Sequence, residues 1–487
     1  MDEIRVECFC MCRLILYLQL IISFTFSEPF NGLTLISKES AGPDSPALTQ
    51  LIDNDGNIIN EWIHDTELSA IAYISPDSIL FASCKIDNPN GPNRNGRFKK
   101  INWEGEIIWD YIIPDSICRP HHDIEVMPNG NILAICSELK TYNELLSAGM
   151  IIDEVPDINS NRGNMDMVIE IEPLENNLAN IIWKWHFWDH LVQDISQDFS
   201  NYGSISANPQ LLNINSPSLS FLYENSPSGA DADFWMHCNS VSYNSSLDQI
   251  MLSSRNRSEV YVIDHSTTID EASSNSGGTY GQGGDFLYRW GNPQNYGRGS
   301  ENDQILRGQH SAIWIPENFP GEGNILLFNN SHTIDYSAVL EIIPPIDLNG
   351  SYSLDAINAY EPNDYYWIYI LDQLALVRGG VWRLPNGNTI ISNLSSLFEI
   401  GPDSEIVWVH SGTFYPSRVI KYSFDYFNSN NLLYDINNDG LLNNSDLEML
   451  ILLVISEDDS FTVADINNDS LTNIFDLLLL SDYLQTF

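Results

Sequence analysis

The chain has 487 residues, 43% hydrophobic and 11% aromatic, enough for one large cored domain and a smaller one. Against 66 Asp and Glu stand 21 Lys and Arg, a formal net charge of −45. Such a surface repels nucleic acid and anionic membrane, which are bound through clustered Lys and Arg, so neither is an expected partner.

The N-terminus carries an apolar run from Cys12 to Ser27, of signal-peptide length and short for a membrane span, with Thr25 and Ser27 at small-residue cleavage positions. Asp2, Glu3 and Glu7 suit a basic leader poorly, whereas a start at Met11 leaves Arg13 as the basic residue. The expectation is a signal peptide over residues 1–27 and an exported protein, whether periplasmic, secreted or surface-attached. Cys8, Cys10 and Cys12 fall in that leader; Cys84, Cys118, Cys136 and Cys238 remain. An oxidising compartment permits one or two disulfides among these, and sequence does not choose the pairing.

From about residue 31 to 425, short β-branched runs are separated by turn dipeptides, as in LIDNDGNIINEW (51–62), INWEGEIIWDY (101–111), IEVMPNGNILAI (124–135), WRLPNGNTIISN (382–393) and LFEIGPDSEIVWVH (397–410). Asn-Gly and Asp-Gly between alternating runs are strong hairpin signals. Recurrent hairpins with aromatic strand ends predict an all-β fold over residues 28–425, a β-propeller, with a large β-sandwich as the alternative. Two stretches depart from the pattern. WKWHFWDHLVQDI (183–195) reads as helical or loop-like, and residues 199–232 are an Asn/Ser/Pro-rich excursion between blades. His186 and His190 lie four apart, but their Trp-rich surroundings favour packing over a metal site. GGTYGQGGD (277–285) follows no βαβ pattern, so no nucleotide site is expected there.

Three segments carry the candidate chemistry: HHDIEVMPNGNILAI (121–135), FWMHCNSVSYNSSLDQIMLSSRNRSEVYVIDHS (234–266) and GQHSAIWIPENFPGEGNILLFNN (308–330). Each is strand-like, with an imidazole or guanidinium at a strand end beside small polar residues. Such a set holds an oxyanion and offers it a histidine nucleophile, because neutral imidazole is both free and basic at neutral pH. A neighbouring Arg keeps that imidazole unprotonated by opposing a second positive charge. Cys238, beside His237, is expected as a disulfide or core thiol, since adjacent strand residues face opposite ways.

From roughly residue 33 to 418 the chain resembles the bacterial arylsulfotransferases. The features that carry the resemblance are HHDIEVMPNGN (121–131), H-x-N (237–239), S-S-R (253–255), SEVYVIDHS (258–266), YRWGNP (288–293), GQH (308–310), NILLFNN (324–330) and RLPNGNT (383–389), several in the family order. The resemblance implies a six-bladed propeller with its site at the central channel. It implies that His310 is transiently sulfurylated, that His237 and Arg255 bind sulfate, and that Asn239 is a neighbouring donor. The HHD motif supplies another channel histidine, His122 being preferred and His121 the alternative. The implied reaction is a ping-pong transfer from an aryl sulfate to a phenolic acceptor, without a nucleotide cofactor; no G-x-x-x-x-G-K-[ST] loop exists to cradle one. Two departures stand out: Ser311 where Asp or Thr is usual, and Asn329 and Ser331 where Asp and Gly are usual. The rival readings are a non-catalytic propeller that binds sulfated polymers or a protein partner, and an aryl sulfate hydrolase.

Past Lys421, the last basic residue, the composition changes. Residues 426–434 read as a linker, and 435–487 show helical apolar spacing. DINNDGLLNNSD (435–446) fits a calcium loop, with Asp435, Asn437 and Asp439 at its first, third and fifth positions, Gly440 at the turn, the Leu441 carbonyl and Asp446 completing it. DINNDSLTNIFD (465–476) repeats it with Asp465, Asn467, Asp469, Leu471 and Asp476, but Ser470 replaces the turn glycine. This tail resembles dockerin modules, small α-helical domains that fold around two calcium ions. The resemblance implies Ca2+ as a cofactor of the tail and a cohesin-like or surface scaffold as its partner.

Overall fold

The computed structural model describes residues 27–38, 46–86, 94–151, 162–216, 235–393, 396–410, 418–427, 436, 444–456, 464–466 and 471–484. The leader up to residue 26 lies outside the described residues, as do Asp435, Asn437, Asp439, Leu441, Asn467 and Asp469.

Turn chemistry dictates the repeating unit. At MPNGN, the Gly130 amide donates to the Met127 carbonyl and Asn131 N–H to Asn129 Oδ1; at LPNGN, Gly387 and Asn388 do the same with Leu384 and Asn386. Both glycines sit at positive φ (83° and 88°), which a turn this tight requires. The following asparagine then reaches across the sheet: Asn131 Nδ2 donates to Glu170 at 2.6 Å and Asn388 Nδ2 to Glu399 at 2.5 Å. Asn324 makes the same 2.6 Å bond to Glu341. One device thus recurs in three blades.

Six antiparallel four-stranded blades result, the architecture of a six-bladed propeller. Blade II is Leu68–Ile74, Leu80–Ile86, Arg94–Ile101 and Ile107–Ile112, and blade III is Arg119–Val126, Ile132–Thr141, Arg162–Leu174 and Leu178–His186. Blade IV is Cys238–Asn244, Gln249–Ser254, Glu259–Asp264 and Tyr288–Trp290. Blade V comprises His310–Trp314, Ile325–Asn329, Ala338–Ile342 and Trp367–Ile370; blade VI comprises Gly380–Arg383, Thr389–Ser392, Leu397–Ile400 and Ile406–His410. Blade I is composite: the late strand Ile420–Tyr422 pairs with Leu33–Lys38, followed outward by Leu48–Ile52 and Ile58–Ile63. The closure is reinforced from its flanks. Arg418 donates to Asp123 (2.9 Å) and to Tyr73 Oη, while Lys421 pairs with Glu399 (2.8 Å) in blade VI.

The core is a set of seams between neighbouring blades. Leu133, Val168 and Trp185 of blade III meet Val241, Leu252 and Tyr261 of blade IV. Val262 and Tyr288 meet Leu327 and Leu340 across the next seam, and Phe328 and Val339 meet Val381 and Ile391 across the one after.

Residues 183–195, expected as helical or loop-like, are instead the outer strand of blade III as far as His186, followed by a short 3-10 turn, Phe187–His190. Trp183 and Trp185 are buried while Lys184 between them is exposed, a period of two that the aromatic density of the segment masks. His186 bonds Glu138, and His190 lies between Asp285 and the Ala272 carbonyl, so the two imidazoles are separate packing residues. Cys118 and Cys136 form a disulfide within blade III; Cys84 and Cys238 are buried thiols. Beyond the propeller, helices Asn444–Ser456 and Ile474–Leu484 pack through Leu450, Leu453 and Leu480 against Ile436, Ala464 and Ile466.

Candidate active site

Three successive inner strands begin with the same irregularity. Register shifts occur between Pro120 and Ile124 in blade III, Cys238 and Ser240 in blade IV, and His310 and Ile313 in blade V. At or beside each bulge a non-glycine residue is left-handed: His122 (φ 60°), His237 (φ 51°) and Ser311 (φ 56°). Such conformers cost about 1 kcal/mol or more and persist only where their surroundings impose them. A bulge re-aims side chains at a strand end, and these inner strands pack on one another. The consequence is that side chains from three blades converge.

His122 Nε2 lies 3.0 Å from His237 Nε2, with ring centroids 4.6 Å apart. His121 is buried behind them, its Nδ1 2.7 Å from His122 Nδ1. Arg255 follows the second strand of blade IV, and its backbone amide donates to the His237 carbonyl at 3.1 Å. A Cβ built on Gly308 would lie 3.9 Å from Arg255 Cγ, so the arginine stem passes close to the turn that leads into His310. His122, His237 and Arg255 are partly exposed, whereas His310 and Asn239 are buried. Asn239 Nδ2 donates to the Gln309 carbonyl at 2.7 Å, coupling the H-x-N segment to the residue before His310. Gln309 returns the link by donating to Ser253 Oγ and to the Ser254 and Glu259 carbonyls.

His310 is oriented by Asn330, a residue that sequence reasoning quoted within NILLFNN without assigning it a role. Asn330 Nδ2 donates to the Ala375 and Arg378 carbonyls at 2.7 and 2.6 Å, a duty only its NH2 group can perform. Its Oδ1 is therefore the atom 2.7 Å from His310 Nδ1, and the Gly308 carbonyl stands 3.1 Å from the same nitrogen. Two acceptors at Nδ1 place the proton there and leave the Nε2 lone pair available. Burial holds the His310 pKa down at about 3; the bond to Asn330 is the largest pull against it, and the positive charge of Arg255 and the neighbouring His237 add smaller lowering effects. Burial, followed by its neighbours His237, His121, His310 and Arg255, likewise drives His122 well below its ordinary value. The site thus offers one neutral, oriented imidazole beside a guanidinium and two further imidazoles. That composition suits a tetrahedral oxyanion.

Of the residues expected from sequence, the structure brings together His121, His122, His237, Asn239, Arg255 and His310. Among the described calcium-loop candidates, Asp446 and Asp476 are fully buried, Asp465 is half-buried and Leu471 exposed. Asp476 accepts from the Ile466 and Asn473 amides at 2.8 and 2.7 Å. No three His, Cys, Asp or Glu side chains are grouped as a metal site among the described residues.

A family model described as Arylsulfotransferase (ASST) matches residues 27–414. No curated protein matches the chain in sequence. Solved structures with a similar trace include a Bacteroides caccae protein of unknown function (12% identity, 80% of this chain and 98% of that one, TM-score 0.41). A putative 6-phosphogluconolactonase from Bacteroides fragilis is 10% identical over 82% of this chain and 100% of its own, with TM-score 0.39. The β-propeller domain of Myceliophteria thermophila Cps50 (Swd1) is 10% identical over 80% and 88%, with TM-score 0.37. Likenesses this low carry no weight for function.

Proposed function

The chain belongs to the arylsulfotransferase (ASST) family, and from that premise we propose that it moves a sulfuryl group from an aryl sulfate to a phenolic acceptor through a sulfohistidine at His310, without a nucleotide. In the first half-reaction His310 Nε2 attacks sulfur, the ester S–O bond breaks, and its electron pair leaves on the phenolate oxygen. Arg255, His237 and His122, with Asn239 nearby, hold the sulfuryl oxygens, where fixed donors in a partly dry site stabilise developing charge. In the second half-reaction the acceptor oxygen attacks sulfur and the S–N pair returns to Nε2. The observation that carries this reading is the Asn330 bond to His310 Nδ1, which supports a neutral ring with Nε2 as its nucleophilic atom.

Transfer from 4-nitrophenyl sulfate to phenol tests it. Phenyl sulfate should form with the wild type and vanish with His310→Asn. Sulfate release without phenyl sulfate would favour a hydrolase, and no turnover by folded protein would favour a binding propeller.

Two further parts of the reading concern the ends of the chain. We infer export behind a signal peptide over residues 1–27, for which the Cys118–Cys136 disulfide is support, because such bonds persist in oxidising compartments. For the tail we infer a dockerin-like module that binds Ca2+ and attaches to a cohesin-like or surface scaffold. Asp446 and Asp476 are buried in a stretch whose sequence holds no Lys or Arg after residue 421, and buried carboxylates in such a loop fit a hard cation. Asp435, Asn437, Asp439, the Leu441 carbonyl and Asp446 would hold one ion; Asp465, Asn467, Asp469, the Leu471 carbonyl and Asp476 the other.

A further inference from the structure

One member of the HHD motif has no part in holding the sulfuryl group. Asp123, 4% exposed, follows His122 where blade III leaves its own ladder: Pro120 pairs with Cys136 and Ile124 with Ala134, so residues 121–123 bulge out between them. His122 meets Ala70 of blade II in a single parallel bridge. A left-handed residue within such a bulge stays there only if its surroundings hold it. The Asp123 carboxylate is held from three other blades. Its Oδ1 accepts from Tyr73 Oη of blade II at 3.0 Å, and its Oδ2 accepts at 2.9 Å from Arg418 Nη2, just before the closing strand of blade I. Oδ2 also accepts from the Val241 amide of blade IV at 3.2 Å, and Oδ1 from the Ile124 amide at 3.0 Å. Arg418 donates to Tyr73 Oη as well, which ties these two donors to each other.

The bulges of blades IV and V are held more simply. Ser240 Oγ accepts from the Ala312 amide at 2.9 Å and Ser311 Oγ from the Val381 amide at 3.4 Å, each reaching forward to the next inner strand. Asp123 makes that forward bond to Val241 and adds the grip from blades I and II behind it. A carboxylate in this place is costly where a hydroxyl is not. Burial pushes the Asp123 carboxyl pKa up, with Arg418 the largest pull against it and the Val241 and Tyr73 bonds next. We propose that Asp123 is the positioning residue of the channel: gripped by blades I, II and IV, it fixes the bulge that carries His122 and so sets the 3.0 Å approach of His122 to His237. It is buried and acts through His122.

The inference rests on the sulfuryl-transfer reading, in which His122 holds sulfuryl oxygens, and a double-mutant cycle separates the two. kcat/KM for 4-nitrophenyl sulfate, with phenol as acceptor, is measured in the wild type and in His122→Ala, which keeps His310 and Arg255 and with them a residual rate. Asp123→Asn should lower kcat/KM about 30-fold in the wild-type background, as for a partner that orients a functional histidine. In the His122→Ala background the same change should cost no more than about twofold. Tyr73→Phe removes one donor and leaves the carboxylate in place; it should repeat the pattern at about fivefold, and it carries the test if Asp123→Asn does not fold. Equal losses in both backgrounds would reduce Asp123 to packing, and no loss in the wild-type background would remove it from the reaction. A folded wild type that makes no phenyl sulfate would overturn the sulfuryl-transfer reading, and the role of Asp123 with it.

Discussion

At the scale of single residues, the reactivity of His310 is set by neighbours rather than by the imidazole itself. A free histidine titrates near neutrality and exchanges tautomers, but burial and Arg255 keep this one neutral while Asn330 and Gly308 choose the protonated nitrogen. Removing Asn330 Oδ1 therefore frees the ring to turn and strands two carbonyls, those of Ala375 and Arg378. Asn330→Ala should lower kcat/KM for the donor by about 10- to 100-fold, the usual effect of losing a partner that orients a reactive histidine. Nitrogen NMR of labelled histidine should show the loss of a single Nδ1–H tautomer at His310. An unchanged tautomer together with unchanged turnover would contradict the role given to Asn330. His310, His237 and Arg255 stood out in the sequence as strand-end bases in an acidic chain, and it was the resemblance to the arylsulfotransferases that gave them roles. Asn330 did not: one asparagine among many carries no signal until the fold shows what it faces.

At the scale of elements, blades III and IV are tied by an imidazole as well as by apolar packing. His265 Nδ1 bonds Asp248 at 2.6 Å and its Nε2 bonds Glu170 at 3.1 Å, with Trp183 against its ring. Burial alone would lower its pKa, but the two carboxylates outweigh burial and raise it to about 9. A folded pKa above the unfolded value of about 6.5 stabilises the protein fully below that value, and the contribution disappears as pH climbs through 9. The melting temperature should thus fall as pH rises from about 6.5 through 9 in the wild type, by an amount worth at most about 3 kcal/mol. His265→Gln should start lower and lack that step; parallel curves would dismiss the strut. The strands themselves were readable, since Asn-Gly turns between alternating runs leave few other conformations. The bulges were not, because a register shift is a relation between two strands, and neither sequence contains it alone. Residues 183–195 misled for a related reason: the aromatic run continues past the strand end through Phe187 and Trp188, and that density hid the strand period.

At the scale of the molecule, the two folded parts follow different physics. The propeller is held by apolar seams between blades and buried pairs such as Arg289–Glu259 (2.6 Å), none of which calls for an ion. The helical tail has a small core and buried Asp446 and Asp476, so its stability should depend on Ca2+. Calcium at about 100-fold over its Kd should add roughly 2.7 kcal/mol to the tail per site. Calorimetry should show a low-temperature transition that moves with calcium and chelator, while 4-nitrophenyl sulfate turnover stays unchanged. A transition indifferent to chelator would remove calcium from the tail.

The composite first blade also bears on how the chain is made. Leu33–Lys38 emerges early from the ribosome, yet its partner Ile420–Tyr422 emerges nearly four hundred residues later. At about 5–20 residues per second, the early strand keeps a bare hydrogen-bonding edge for roughly 20 to 80 seconds. Throughout that interval the nascent chain is open to wrong pairing with its own later strands or with another copy. A message cut short before residue 418 would yield a product that never leaves that state, and such fragments should accumulate as aggregates rather than as smaller propellers.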